Sequence, residues 1–274
     1  METKYLSCES FAEAYKNLSS LLVSNYDYET SPRGFKIKER LNQVIKITNP
    51  YSNLFYNEKR SPSLKYLKEE LKLYFSGNNS LEDFTKASKF WAQLSDDSTT
   101  INSAYGYLLF KDLNIHNTTQ WNWAKQSLLL DISSRQAILH FNSPKHQKST
   151  ADFPCTVYGS FHIRDNKLHF TVCMRSNDCV RGVHFDFPFF MLLMQCMQLE
   201  LLEKYPNLEL GEYTHFVNSL HLYERDYSII EEALSYGFKE VFIPKITINP
   251  ILNLENPEFK NSEFGKWLEG VCLK

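Results

Sequence analysis

The residues that could do chemistry fall into four short strings in the C-terminal half of the sequence. The strings are Asp152-Phe153-Pro154-Cys155-Thr156, Met174-Arg175-Ser176-Asn177-Asp178, Gly182-Val183-His184-Phe185-Asp186 and Asn218-Ser219-Leu220-His221-Leu222-Tyr223. A thiolate is a strong nucleophile that also leaves readily, so Cys155 is a candidate for covalent catalysis. A nearby arginine such as Arg175 would lower the pKa of that thiol. The alternative is that Cys155 is a small buried apolar residue.

A β-hairpin is predicted to position the first two strings. Apolar residues alternate with more polar ones over 157–163 and again over 168–172, and residues 164–167 supply a turn between them. Cys155 precedes the first strand of this hairpin, and Arg175 follows the second. His221 and Tyr223 are two residues apart on another predicted strand, so their side chains should share a face.

Further helices and strands are predicted around the hairpin. Leucines at helical spacing predict a helix over 62–76, and Gly77 ends it. A second helix should start at Ser80, with Ser80 and Asp83 as a capping box. The remaining predictions are a surface loop over 26–36, strands over 135–141 and 241–248, and a buried helix over 187–205. The elements follow no regular βαβ rhythm, so the predicted fold class is α+β.

Composition restricts the class of protein. The chain has 274 residues, 43% hydrophobic and 23% charged, which excludes wholesale disorder and favours one domain over two. The formal charge is −2, without a basic block that would follow a nucleic-acid backbone. The apolar run 187–194 is too short to span a bilayer, and residues 1–30 show no signal-peptide core. We therefore expect a cytoplasmic protein with reduced cysteines and no metal site, binding neither nucleic acid nor membrane.

Together the four strings resemble the thymidylate synthase superfamily, whose members share a Pro-Cys nucleophile, an Arg-Ser-x-Asp string and a His-x-Tyr string in this order. Two upstream features fit as well: Glu70 lies seven residues before Gly77, and Trp91 lies fourteen before Tyr105-Gly106. The resemblance extends roughly from residue 31 to residue 223. It implies a single thymidylate synthase-like domain over residues 1–274, with a mixed sheet flanked by helices, that dimerises through the sheet.

The resemblance also implies roles for individual residues. The thiolate of Cys155 would add to C6 of a pyrimidine, which activates C5, and Glu70 would manage water and protons around the base. The implied catalytic residues are Cys155, Glu70, Tyr105 and Asp186; the implied substrate ligands are Arg33, Arg135, Arg175, Ser176, Asp178, His221 and Tyr223; the implied folate ligands are Trp91, Asp178 and Gly182. Trp91 also lies on an apolar helical stripe, so core packing is the alternative for that residue. For Arg33 and Glu70 the alternative is a solvated surface charge.

One departure from the family concerns the phosphate ligands. In the family, a partner subunit contributes an Arg-Arg pair to the phosphate, alongside residues matched here by Arg33, Arg175 and Ser176. The corresponding residues here are Arg135 and Gln136. The phosphate clamp is therefore expected to be weaker, or to be completed by another residue.

A second departure, at Asp186, bears on the substrate. Thymidylate synthases have asparagine here, whose amide reads N3–H and O4 of uracil. Cytosine reverses that pattern, and a carboxyl group can accept from N4 and, when protonated, donate to N3. The same change marks the dCMP hydroxymethylases of this superfamily. The alternative is an aspartate that does not contact the base.

The resemblance implies a homodimeric cytidylate 5-hydroxymethyltransferase that acts on dCMP or CMP with 5,10-methylenetetrahydrofolate. The C-terminal residues 270–274 do not match the apolar tail that closes thymidylate synthases, which would admit water to the site. Two alternatives stay open: a methylating synthase acting on dUMP or dCMP, and a catalytically silent nucleotide-binding paralogue. The sequence leaves the choice between ribose and deoxyribose open.

Overall fold

The computed structural model describes residues 4–270. In chain order its strands are β1 (Tyr5–Cys8), β2 (Tyr28–Thr30), β3 (Ile37–Ile47), β4 (Leu54–Tyr56), β5 (Ile138–His140), β6 (Thr156–Arg164), β7 (Lys167–Met174), β8 (Asn177–Asp178), β9 (Glu209–Tyr223) and β10 (Lys239–Val241). Its α-helices are α1 (Phe11–Ser24), α2 (Leu64–Phe75), α3 (Leu81–Ala87), α4 (Tyr105–Phe110), α5 (Gln120–Leu130), α6 (Val183–Leu201), α7 (Tyr227–Leu234), α8 (Pro257–Asn261) and α9 (Glu263–Leu268). Short 3₁₀ helices cover Pro32–Gly34, Lys89–Gln93, Pro144–His146 and Glu224–Asp226.

Within residues 4–270, eight strands form one sheet in the order β1-β3-β9-β7-β6-β5, with β2 paired to β3 and β8 to β9. The β1–β3 and β8–β9 pairs are parallel, whereas β2–β3, β3–β9 and β5–β6 are antiparallel. Strands β4 and β10 form a separate antiparallel pair. The sheet is mixed, which confirms the α+β prediction. No helix of this part of the chain is long and apolar enough to cross a membrane.

The chain divides into two compact units, and the first contains the described residues up to Pro62 together with His169–Leu192 and Gly211–Ile243. Its core includes the ring of Phe11 on α1, stacked on Phe187 of α6 with centroids 4.8 Å apart. The β8–β9 register places Asp178 beside His221. Strand pairing therefore brings two of the predicted site residues together.

The second unit contains Ser63–Leu168, Leu193–Leu210 and the described residues from Pro244 onward. Helix α2 is followed by Gly77, whose φ of 64° is the left-handed conformation that glycine adopts easily. A Cβ on Gly106 of α4 would lie only 1.7 Å from the carbonyl oxygen of Tyr74 on α2. Glycine at this position lets the helix that carries Tyr105 approach the helix that carries Glu70.

The hairpin prediction is confirmed. Strand β6 ends at Arg164, and β7 begins at Lys167. The two residues between them, Asp165 and Asn166, have φ values of 49° and 57°, as a type I′ turn requires. Cys155 immediately precedes β6, as expected.

Several other local predictions were wrong. The buried helix starts at Val183 and ends at Leu201, four residues earlier than expected at each end. The Ser80 side chain makes no capping hydrogen bond, and Asp83 instead accepts from the Asn78 amide. The segment 26–36 contains strand β2, and the strand predicted over 135–141 is only the three residues of β5.

The strand predicted over 241–248 is also absent, since β10 ends at Val241. Pro244 has no backbone N–H for a sheet ladder. The neighbouring N–H groups go to side chains: Ile243 donates to Asn53 and Ile246 donates to Gln195. The residues after β10 therefore make side-chain hydrogen bonds instead of strand pairs.

Candidate active site

In the second unit, Cys155 is partly exposed at the start of β6. The next residue, Thr156, donates twice to the hydroxyl oxygen of Tyr105, from its backbone N–H at 3.2 Å and from its own hydroxyl at 3.0 Å. A tyrosine hydroxyl has one hydrogen to donate and can accept at its oxygen. With the oxygen already accepting two bonds, Tyr105 is set up to act as a donor.

The loop that carries Cys155 is held by Asp152, a residue that sequence reasoning placed in a string but gave no role. The buried Asp152 carboxylate accepts the backbone N–H of Ser103 at 2.7 Å. The Asn102 amide also donates to the Asp152 carbonyl, at 3.2 Å. Burial raises the pKa of Asp152, while the hydrogen bond from Ser103 opposes that rise. These bonds fix the loop before Cys155 to the loop before Tyr105.

Glu70 lies on α2 and is only 8% exposed, so the interpretation as a solvated surface charge is wrong. Its carboxylate accepts a hydrogen bond of 2.9 Å from the hydroxyl of Tyr66, one helical turn earlier. The Tyr66 oxygen in turn accepts from the indole N–H of Trp91 at 3.2 Å. Sequence reasoning missed Tyr66, although its i−4 spacing from Glu70 was visible in the sequence.

Trp91 lies in the 3₁₀ helix Lys89–Gln93 and is 8% exposed. Its ring packs edge-on against Phe84 of α3, with centroids 4.9 Å apart. The tryptophan therefore does belong to the core of this unit. Its predicted contact with folate stays a prediction.

In the first unit, Asp186 lies in the first turn of α6. Its side-chain oxygen Oδ2 accepts a hydrogen bond of 2.8 Å from the amide of Asn177. Burial raises the pKa of Asp186 to about 7; the nearby charge of Asp178 acts in the same direction, and the Asn177 hydrogen bond opposes it. Asp186 as a whole residue is only partly buried. It is a candidate proton carrier near neutral pH.

Asp178 and His221 form a second polar group in the first unit. The Asp178 carboxylate accepts the backbone N–H groups of Val180 and Arg181, at 2.7 and 3.2 Å. Burial raises the pKa of Asp178 and lowers that of His221. The Nδ1 of His221 is 3.3 Å from the carbonyl of Ser219, which can only accept, so Nδ1 carries the hydrogen. In neutral His221 the other nitrogen, Nε2, is then a hydrogen-bond acceptor.

Tyr223 accompanies His221 at the end of β9. The two rings meet edge-on with centroids 5.1 Å apart, so the two side chains neighbour each other as predicted. Gly182 lies close to Asp186: a Cβ on Gly182 would be 3.2 Å from Oδ2 of Asp186. These residues and the Asp178 group all belong to the first unit.

The predicted phosphate ligands lie on exposed or partly exposed parts of the chain. Arg33 is exposed within the 3₁₀ turn Pro32–Gly34 and has a positive φ of 53°. Arg175 and Ser176 are partly exposed between β7 and β8. Arg135 is exposed between α5 and β5 of the second unit. The C-terminal residues 271–274, on which the expectation of an unsealed site depends, lie outside the described residues.

Comparison with known proteins identifies the class of enzyme. The family model for thymidylate synthase matches residues 14–265, so the chain belongs to the thymidylate synthase family. Its structure is similar to that of thermostable thymidylate synthase A from Bacillus subtilis, with a TM-score of 0.68 and 21% identity over 85% of this chain and 86% of the other. The predicted family and fold are confirmed. The chain is a one-carbon transferase of a family that uses methylenetetrahydrofolate.

The curated relatives differ in reaction and in base. Over 181 residues the chain is 27% identical to the deoxycytidylate 5-hydroxymethyltransferase of Enterobacteria phage T4, covering 63% of this chain and 72% of that protein. It is 27% identical over 280 residues to the deoxyuridylate hydroxymethyltransferase of Bacillus phage SP01, an alignment that covers 92% of this chain and 71% of that protein. It is 28% identical over 189 residues to the thymidylate synthase of Bacillus atrophaeus, an alignment that covers 67% of this chain and 80% of that protein. Overall identity does not choose among these reactions.

The raised pKa of Asp186 predicts a pH-dependent stability. In an unfolded chain aspartate titrates near 3.9, whereas Asp186 titrates at about 7 in the folded protein. Between these values only the folded state holds the proton, so raising the pH destabilises the fold through this group. Asn does not titrate, so Asp186→Asn should gain stability relative to the wild type as the pH rises from 5 to 8, by about 3 kcal/mol.

Urea unfolding of both proteins without nucleotide, at pH 5 and at pH 8, measures this difference. An equal stability difference at the two pH values would show that Asp186 is ionised in the folded protein throughout that range.

Proposed function

We propose that the protein is a cytidylate 5-hydroxymethyltransferase that acts on dCMP or CMP with 5,10-methylenetetrahydrofolate and water. The observation that carries this proposal is Asp186. It is a desolvated carboxyl group with a pKa of about 7, at the position where thymidylate synthases have asparagine. Because the relatives are almost equally similar overall, this residue has more weight than the percentages of identity.

Asp186 can pair with cytosine because a carboxyl group that keeps its proton near neutral pH has one donor and one acceptor. Cytosine presents the N4 amino group as a donor and N3 as an acceptor. The carbonyl oxygen of a protonated Asp186 accepts from N4, and its hydroxyl donates to N3. Donation to N3 also withdraws electrons from the ring, which favours attack by a thiolate.

The covalent step belongs to Cys155. Addition of its thiolate to C6 makes C5 nucleophilic, and C5 then bonds to the carbon that the folate supplies. C5 loses its hydrogen as a proton, the bond between the transferred carbon and the folate nitrogen breaks, and the nitrogen takes up a proton. Water then adds its hydroxyl group to the transferred carbon, and the thiolate leaves C6. No hydride is transferred, so the folate product is tetrahydrofolate. Glu70, oriented by Tyr66, manages the water and protons, and Tyr105 donates a hydrogen bond.

The remaining predicted residues bind the nucleotide and the folate. Arg33, Arg175 and Ser176 hold the phosphate, together with Arg135 from a second subunit of a homodimer. His221 and Tyr223 bind the sugar hydroxyl. Trp91, Asp178 and Gly182 bind the folate. The enzyme acts in the cytoplasm as a single functional domain.

A second candidate function is C5 methylation of dUMP or dCMP, because a thymidylate synthase is as similar in sequence as the hydroxymethyltransferases. Methylation requires a hydride from the folate, which leaves as dihydrofolate. The two reactions therefore differ in both products.

Incubation with methylenetetrahydrofolate and each of CMP, dCMP, UMP and dUMP, followed by mass spectrometry, tests the proposal. We expect a hydroxymethylated cytidylate and tetrahydrofolate. Cys155→Ser should yield no product while still binding nucleotide, and Cys173→Ser, which changes a cysteine buried in β7, should remain active. A methylated product with dihydrofolate would establish the second candidate, and activity in Cys155→Ser would exclude the covalent mechanism.

The proposed dimer predicts complementation between subunits. Neither Arg135→Ala nor Cys155→Ser should be active by itself if Arg135 serves the site of the partner subunit. After subunit exchange, a mixed dimer has one intact site, so an equal mixture should recover roughly a quarter of the wild-type activity. An inactive mixture with exchange verified by mass spectrometry would contradict the shared site.

A further inference from the structure

The partner of Asp186 is a buried amide, Asn177, which is 2% exposed on β8. Its nitrogen donates to Oδ2 of Asp186 at 2.8 Å and also lies against the sulfur of Met174. Its oxygen is buried and has no hydrogen-bond partner within residues 4–270. A Cβ on Gly182 would lie 3.1 Å from this oxygen and 3.2 Å from Oδ2 of Asp186, so the lack of a side chain there gives the pair its room.

The direction of this hydrogen bond restricts the proton of Asp186. An amide N–H needs an acceptor, and the hydroxyl oxygen of a carboxylic acid is a poor one. With Asn177 donating to Oδ2, a neutral Asp186 therefore carries its proton on the other oxygen, Oδ1. In this orientation the amide nitrogen faces two acceptors, Oδ2 of Asp186 and the Met174 sulfur.

The position of this proton decides which base fits. Cytosine needs a hydroxyl opposite N3 and a carbonyl opposite position 4, whereas uracil needs the carbonyl opposite N3 and the hydroxyl opposite O4. A neutral carboxyl group whose proton moves between its two oxygens would pair equally well with both bases. A neutral aspartate therefore discriminates only when its proton is fixed on one oxygen.

We propose that Asn177 is a positioning residue that fixes the proton of Asp186 on Oδ1, and that it thereby makes the carboxyl group select cytosine over uracil. This inference rests on the proposed contact between Asp186 and the base. In the complex, Oδ2 accepts from both Asn177 and N4, and Oδ1 donates to N3. Asn177 itself does not touch the nucleotide.

Two variants remove the amide: Asn177→Leu keeps the shape of the side chain, and Asn177→Ala truncates it. Equilibrium binding of dCMP and dUMP should show that each variant lowers the preference for dCMP at least tenfold. In an Asp186→Asn background the same changes should alter the preference less than twofold, because Asn177 acts through Asp186. Asn17→Ala is the matched control, since Asn17 donates to the sulfur of Cys8 on another element, and it should change nothing.

A carboxyl ¹³C NMR titration, with Asp186 assigned from the Asp186→Asn spectrum, gives a readout that a purely structural role would not move. Loss of a donor that favours the charged form should raise the pKa of Asp186 by one to two units, because a hydrogen bond to a charged group has about that strength. In the unmutated protein, the side-chain amide signals of Asn177 should titrate together with this carboxyl. This second signal keeps the test valid if both variants fail to fold.

The outcomes separate this inference from the proposed function. If Asp186→Asn changes the base preference but neither Asn177 variant does, the inference is overturned and the proposed function stands. Asn177 amide signals that stay constant through the titration also overturn it. If the wild type prefers dUMP, the proposed function is wrong and this inference, which rests on it, is overturned as well.

Discussion

The proposed selection of the base depends on one energetically unfavourable feature, the desolvated carboxyl group of Asp186. Removing water from Asp186 makes its charged form costly, which is why its pKa rises to about 7. The neighbouring charge of Asp178 adds to this cost, and a single donor from Asn177 offsets part of it. A group balanced in this way can gain or lose a proton near neutral pH, which an exposed aspartate does not do.

The surroundings of Asp186 keep this balance in place. Pairing of β8 with β9 fixes the backbone of Asn177 and Asp178, and Gly182 leaves space for the Asn177–Asp186 pair. The first turn of α6 then presents the carboxyl group. Loss of any of these features would change the protonation of Asp186 without touching the nucleophile.

In the second unit, hydrogen bonds from neighbouring side chains orient several candidate residues. Thr156 makes Tyr105 a donor, and Tyr66 orients the carboxylate of Glu70. The buried Asp152 holds the loop that leads to Cys155. Such supporting bonds reduce the freedom of the reacting groups before a substrate binds, which is how a protein pre-organises a site.

Sequence reasoning succeeded where structure is decided locally. The two-residue turn at Asp165-Asn166 and the left-handed glycine after α2 both follow from the conformations that these residues adopt easily. It failed where distant groups compete for the backbone, as after β10, where the side chains of Asn53 and Gln195 take the N–H groups that a strand would use.

The candidate site shows the same division. Residues for which we propose a direct role, such as Cys155 and Asp186, were visible as motif positions. For Asn177 and Tyr66 we propose roles that act through another residue and depend on the direction of one hydrogen bond. Position in the sequence reveals such a bond only when the two partners share a helix turn, as Tyr66 and Glu70 do.

Whether the carboxyl group of Asp186 selects the base can be measured as kcat/KM for CMP, dCMP, UMP and dUMP in the wild type and in Asp186→Asn. The substitution keeps size and shape but replaces the acid by an amide. Mispairing a buried polar edge costs about 1–3 kcal/mol, and correct pairing on the other base gains a similar amount. Since about 1.4 kcal/mol corresponds to a tenfold change in rate, we expect the ratio of kcat/KM for cytidylates to that for uridylates to fall by about two orders of magnitude or more. An unchanged ratio would show that Asp186 does not contact the base, and would contradict the proposed selection of cytosine by its carboxyl group.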